Sequence, residues 1–294
     1  MNCAITNRIQ NSFIVSVLQE RLSAHRHDDL FTVSMDHSPS EQLENDDTWY
    51  TTVLILSCGV EHSKLARQIA TEIRPKNRNL RKWSARTPEL YRAKFAEHFC
   101  KLFPYFPVYV FAISAKGSVI RESEDHFVKQ LHLKTGYQKH ISKRGRRRIQ
   151  IGPLMSGPEK KKILVSLAER RGQMVLFISH FVIRMYDIMT EAIYGTQKTP
   201  DNAGLRWGFL ADKFPGPPDA DMDLMFRAIL GLHRPQKNII WGYFKDGDRV
   251  ETDLLADNLA GLLSGCANDP TTSDKIRSIE PGEKGGLFYW EKWD

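Results

Sequence analysis

The chain has 294 residues, of which 41% are hydrophobic and 26% charged, with a formal net charge of +7. That length suits one large domain or two small ones, and the apolar share is enough for a real core. No segment has the length or apolar character of a membrane span, and the N-terminus has no signal-peptide pattern, so a cytoplasmic protein without membrane attachment is expected. The four cysteines, at positions 3, 58, 100 and 266, show no metal-ligand spacing and are expected to be reduced thiols.

Residues 1–28 read as a polar leader with one short amphipathic helix, Ser12–Leu22. The β-branched and aromatic run Leu30–Met35 predicts a strand that gives out at Asp36. After a polar loop, Trp49–Ser57 is the clearest strand in the chain. His62–Arg74 places Leu65, Ile69 and Ile73 on one helical stripe, which Pro75 ends. A basic stretch leads into a second helix, Pro88–Leu102, with Tyr91, Phe95 and Phe99 on one face. Val108–Ser114 predicts a third strand.

Residues 115–162 have no sustained periodicity and read as a long loop. Ile163–Tyr194 reads as one long helical region, with a break expected at Gly172. Leu205–Ala211 predicts a fourth strand ending at Asp212, Asp221–Leu232 a helix, and Asn238–Phe244 a fifth strand. A last helix, capped by Thr252 or Asp253, runs to about Gly265. The tail from Asn268 is polar until an aromatic cluster, Leu287–Trp293, that is expected to dock on the body as a hydrophobic strap or to form part of a partner interface.

Strand–helix alternation of this kind predicts an α/β domain with a mixed sheet. Three leading strands, a long helix and two crossover units are the order of the ribonuclease-H-like fold. The expectation is therefore a mixed five-stranded ribonuclease-H-like sheet flanked by helices over residues 29–267. Helical and basic-loop insertions fall at about 60–105 and 115–162, and residues 268–294 form the packing tail.

Three aspartates stand where apolar segments give out: Asp36, Asp212 and, inside Leu-Leu-Ala-Asp-Asn-Leu-Ala-Gly, Asp257. A carboxylate against a buried run is costly unless paired, hydrated or metal-bound. Mg²⁺ and Mn²⁺ take hard oxygen ligands, and two such ions can drive in-line phosphodiester hydrolysis. Each acid also has a purely structural reading: an Asx turn for Asp36, a pair with Lys213 or Arg206 for Asp212, and a place beside a packed helix face for Asp257. Asp187 and Glu191 on the long helix, and acids in the loops, are open candidates for a fourth ligand. His37 is a candidate for positioning water or phosphate.

The excess positive charge is concentrated in Lys143, Arg144, Arg146, Arg147 and Arg148, followed by Lys160–Lys162. Such a block attracts nucleic-acid backbones through counterion release; it can equally be a solvated loop.

Asp36-His37-Ser38, Ala211-Asp212-Lys213 and Leu255-Ala256-Asp257-Asn258-Leu259-Ala260-Gly261 resemble the motifs of the "domain of unknown function 3800" family. The resemblance spans roughly residues 30–265. It implies a ribonuclease-H-like fold and a metal-dependent nuclease or related phosphotransferase, of a kind often found in mobile-element or phage-defence settings. His37 and Pro39 stand where that family usually has Glu and Gly, which removes one carboxylate from the implied site.

The leading expectation is a hydrolase of nucleic-acid phosphodiesters, with Mg²⁺ or Mn²⁺ held by Asp36, Asp212 and Asp257. The alternative is a non-catalytic nucleic-acid-binding or assembly subunit with a degenerate acidic site. A third reading is an effector that depends on a protein or ribonucleoprotein partner.

Overall fold

A computed structural model of the chain describes residues 12–22, 30–38, 47–120, 138–141, 147–151, 163–166, 170–194, 206–211, 239–243, 251–267, 269–279 and 286–293. The elements in chain order are α1 (Ser12–Leu22), β1 (Leu30–Ser38), β2 (Trp49–Cys58), α2 (Glu61–Ile73), α3 (Glu89–Leu102), a 3-10 turn (Phe103–Tyr105) and β3 (Tyr109–Lys116). Then follow β4 (Gln138–Ile141), β5 (Arg147–Ile151), β6 (Ile163–Ser166), α4 (Arg170–Tyr194), β7 (Arg206–Ala211), β8 (Ile239–Tyr243), α5 (Glu251–Cys266), α6 (Pro270–Arg277) and β9 (Phe288–Trp293).

The five strands expected from sequence form one mixed open sheet flanked by helices, and β9 adds a sixth, in the order β8-β7-β1-β2-β3-β9. β1, β2 and β3 are antiparallel neighbours; β7 and β8 run parallel to β1, and β9 runs parallel to β3. β1, β3, β7, β8 and β9 therefore all end at one edge of the sheet, where β2 begins. β2 is buried along nearly its whole length, which explains its continuous apolar run rather than an alternating one.

Direct antiparallel partners share a face, so the register sorts the side chains. Val53, Ile55, Val110 and Ala112 enter one core with α2, α3 and α5, joined by Phe288 and Trp290 of β9. α5 packs against β1 and β2, and nearly every side chain from Leu254 to Leu263 is buried, which suits a helix apolar on most sides. On the opposite face, the Phe177 ring of α4 meets Trp293 edge-on, and Tyr186 meets Trp207 at 4.9 Å. α1 packs against α4 on that side.

Three expectations are corrected. Residues 115–162 contain β4 and β5, which form a second, three-stranded antiparallel sheet with β6, and Arg147 and Arg148 lie in β5. Ile163–Ser166 is a strand, and the long helix starts only at Arg170, so Gly172 falls in its first turn. Four- and five-residue strands give too little pattern to separate from loop or helix. The tail contains α6, and its aromatic cluster joins the sheet as a strand instead of strapping over it. There Gly286 lets the chain lie on Val108: a Cβ at Gly286 would sit 1.5 Å from the Val108 carbonyl oxygen. Asp221–Leu232 lies outside the described residues.

Among the described residues no helix is long and apolar enough to cross a membrane. Among the described residues Cys58, Cys100 and Cys266 form no disulfide, and burial pushes the Cys266 thiol up to about 11.

Candidate functional site

β1 carries Asp36 to the edge where the parallel strands end. Its Cα partner across the antiparallel pair is Val53, a member of the core that α5 closes. The half-buried Asp36 carboxylate therefore belongs to the α5 face, and its Oδ1 accepts from the His37 backbone N–H at 2.7 Å. His37 is opposite Thr52, and successive strand residues point to opposite faces. Strand alternation thus directs the His37 ring away from the Asp36 carboxylate.

On the other flank of β1, Met35 pairs with Ala211 of β7. Asp36 and Asp212 each follow one member of this pair. Asp212 itself lies outside the described residues, as do Lys143, Arg144 and Arg146, and the side chains of Arg147 and Arg148. β1 and β7 are also where the chain order reverses, since β2 and β3 lie to one side and β7 and β8 to the other. Ligands of open α/β sheets bind beyond the carboxyl ends of strands at such a reversal.

Asp257 sits half-buried on α5, on the same side of the sheet as Asp36. Its Oδ2 accepts from the Trp83 backbone N–H at 2.5 Å. The next residue, Asn258, is fully buried and donates through Nδ2 to the carbonyls of Arg81 and Leu254, both at 2.7 Å. Tyr91 completes this set: its hydroxyl donates to Asn258 Oδ1 and accepts from the Arg81 N–H. Burial, above all, raises the pKa of that phenol, with the nearby Asp257 charge acting in the same direction and Arg74 and Arg81 acting against it. At least one Asp257 oxygen is thus committed to holding a loop.

Two of the fourth-ligand candidates are moved away from Asp36. Asp187 follows Tyr186, whose ring packs on Trp207, the partner of Phe31. Phe31 is five residues before Asp36, about 16 Å along the strand, and α4 covers the other face. Glu191, one turn later on α4, shares that separation. Among the described residues no group of three or more His, Cys, Asp or Glu side chains is placed to hold a metal ion.

The strand-end edge also carries features that the sequence did not disclose. Lys116 and Lys292 place their Nζ atoms 5.6 and 5.3 Å from the Trp49 ring centroid. Thr51 Oγ1 and Ser114 Oγ are 2.6 Å apart, and Trp290 Nε1 donates to Ser114 Oγ. These residues come from β2, β3 and β9, so only the pairing register reveals them as neighbours. The described part of the site is a carboxylate at a strand end and two lysines along one sheet edge, over a buried pair of hydroxyls.

The molecule thus defines a mixed α/β sheet with an acidic strand end at its topological reversal. No family model matches the chain, and no curated protein or solved structure matches it.

Proposed function

We propose that the protein is a metal-dependent hydrolase of nucleic-acid phosphodiesters on a ribonuclease-H-like fold, as the family resemblance implies. The observation that carries this reading is the parallel β1–β7 pair, whose register matches the residues immediately preceding Asp36 and Asp212. The order β3-β2-β1-β7-β8, with α5 on the Asp36 face, also supports it. Asp36, Asp212 and Asp257 form an all-oxygen donor set, which fits Mg²⁺ or Mn²⁺ rather than softer ions.

In this reading Asp36 and Asp212 hold the ion, and Asp257 closes the set while retaining the Trp83 N–H on Oδ2. A bound Mg²⁺ or Mn²⁺ supplies charge neutralisation and an activated water. Lys116 and Lys292, at the same edge, stabilise the approaching backbone phosphates, and the Lys143–Arg148 block adds backbone affinity through its charge.

The test is Mg²⁺-dependent cleavage of DNA, RNA and hybrid substrates. Asp36→Asn and Asp212→Asn each lower the rate at least ~100-fold while affinity for the same substrates is kept. Absence of cleavage by the wild-type protein on all three substrates overturns the reading. A second reading, a non-catalytic nucleic-acid-binding subunit, is favoured by one observation, the structural use of Asp257 by Trp83. It predicts salt-sensitive binding with no cleavage.

A further inference from the structure

Between the end of α2 and the first turns of α3 the chain forms a cavity of about 660 Å³. Four cations line it, Arg74, Arg81, Lys82 and Lys94, together with Tyr91 and an apolar wall that includes Leu90. Among the described residues no carboxylate lines it; Glu89, between two lining residues, is not part of the wall. The cavity also includes the start of α3, whose aligned peptides add positive potential. Four cations around one space give it a positive potential that attracts an anion.

The segment carrying two of these cations has no regular secondary structure, yet it is fixed. α2 ends at Ile73 before Pro75, and Arg78 turns the chain in the left-handed region with φ 50°. Leu80 is buried, and three backbone polar groups are then tied down: Arg81 N–H by Tyr91, Arg81 C=O by Asn258 and Trp83 N–H by Asp257. The Trp83 ring lies over Gly261, where a Cβ would be 2.1 Å from its Cδ1. Phe95 meets the ring edge-on at 6.2 Å, and the Arg92 guanidinium lies 5.2 Å from its centroid. The Arg81 and Lys82 side chains remain exposed on this held backbone. Tyr91 uses both hydroxyl functions internally, so it shapes the scaffold and leaves ligand contact to the four cations.

We infer that this cavity is a binding site for closely spaced phosphate groups, as in a nucleoside diphosphate or consecutive phosphodiesters of a nucleic-acid strand. Four cations exceed what a single carboxylate needs, and arginine forks pair well with phosphate oxygens. The volume lies within the range of small-molecule sites. The site needs no metal and is independent of the proposed hydrolase reading.

The experiment is titration of the full chain, in EDTA, with ADP by calorimetry and with a fluorescent single-stranded oligonucleotide by anisotropy. Arg81→Gln/Lys94→Gln, at two exposed positions, weakens binding at least ~10-fold and lowers the oligonucleotide salt slope by about one to two. Lys101→Gln, at the far end of α3, leaves binding unchanged. Displacement of the oligonucleotide by ADP shows that one pocket takes either source; oligonucleotide binding alone, lost in the double variant, assigns it to a strand. If neither probe binds, or the double variant binds both as the wild type does with unchanged circular dichroism, the inference is overturned. Because EDTA suppresses metal-dependent cleavage, failure here is distinct from failure of the hydrolase reading.

Discussion

The two faces of the central sheet treat buried polar groups differently. On the α5 face most occur in bonded sets, Thr51 with Ser114 and Trp290 Nε1, Ser57 with His62 Nδ1, and Asn258 with Tyr91 and Arg81; His62 Nε2 is an exception, buried without a hydrogen-bond partner among the described residues. On the α4 face, Thr52 Oγ1 and Trp207 Nε1 are buried without a hydrogen-bond partner among the described residues. There the contacts are aromatic, Phe177 on Trp293 and Tyr186 on Trp207. One face uses directional bonds to fix positions, and the other relies on packing. An unmade buried bond costs more than a made one returns, so the faces should respond oppositely to removal of a hydroxyl.

The largest effect should come with acid. His62 is fully buried, its Nδ1 is paired with Ser57 Oγ, and burial lowers its pKa to about 4. The unfolded chain takes up its proton near 6.5 and the folded chain only near 4, so stability is complete above 6.5 and falls between these values. The loss is about 3 kcal/mol. Denaturant melts of wild type and His62→Gln from pH 7.5 to 4 should converge as the pH falls; parallel curves would remove this account of the α5 face.

Next comes the scaffold of α5. Gly261→Ala drives a methyl into the Trp83 ring and should cost about 1–3 kcal/mol. Asp257→Ala, which strips the acceptor from Trp83 N–H, should cost a similar ~1–3 kcal/mol, whereas Asp257→Asn keeps an acceptor and stays within ~1 kcal/mol. Equal losses for Ala and Asn would mean that charge, not the hydrogen bond, matters at Asp257.

The smallest effects give the sharpest contrast. Ser114→Ala orphans Trp290 Nε1 and Thr51, and should destabilise by about 1–2 kcal/mol. Thr52→Val, which removes a hydroxyl without a bond, should be neutral or stabilise by up to about 1 kcal/mol. Thermal or urea melts of the two variants compare the faces directly, and the same sign for both would erase the distinction.

Much of this architecture was legible in residue patterns. The β-branched runs of β1, β2, β3, β7 and β8 marked the five expected strands, and the stripe Leu65, Ile69 and Ile73 marked α2. β9 hides from such patterns because Phe288-Tyr289-Trp290 is uniformly aromatic. Its burial alternates once Phe288 and Trp290 face one side and Trp293 the other. At the candidate site, the position of Asp36 at a strand end could be read, and so could the packed neighbours of Asp257. The partner of Asp257 could not: Trp83 is 174 residues away. The same holds for the basic cavity. Its cations come from a helix end, a loop and a second helix, so they form no block like the one at 143–148. Six cations between Arg74 and Arg86, interrupted by one tryptophan, were the available signal.

β9 has a consequence beyond the core it completes. By pairing with β3 from Val110 to Ala115, it covers the backbone edge of an apolar strand, Tyr-Val-Phe-Ala-Ile-Ser-Ala-Lys. In its place it presents an outer strand bearing Glu291 and Lys292, charges that discourage pairing with another chain. Cleavage before Gly286 would uncover β3 as a template for strand addition, and the truncated protein should self-associate through that edge.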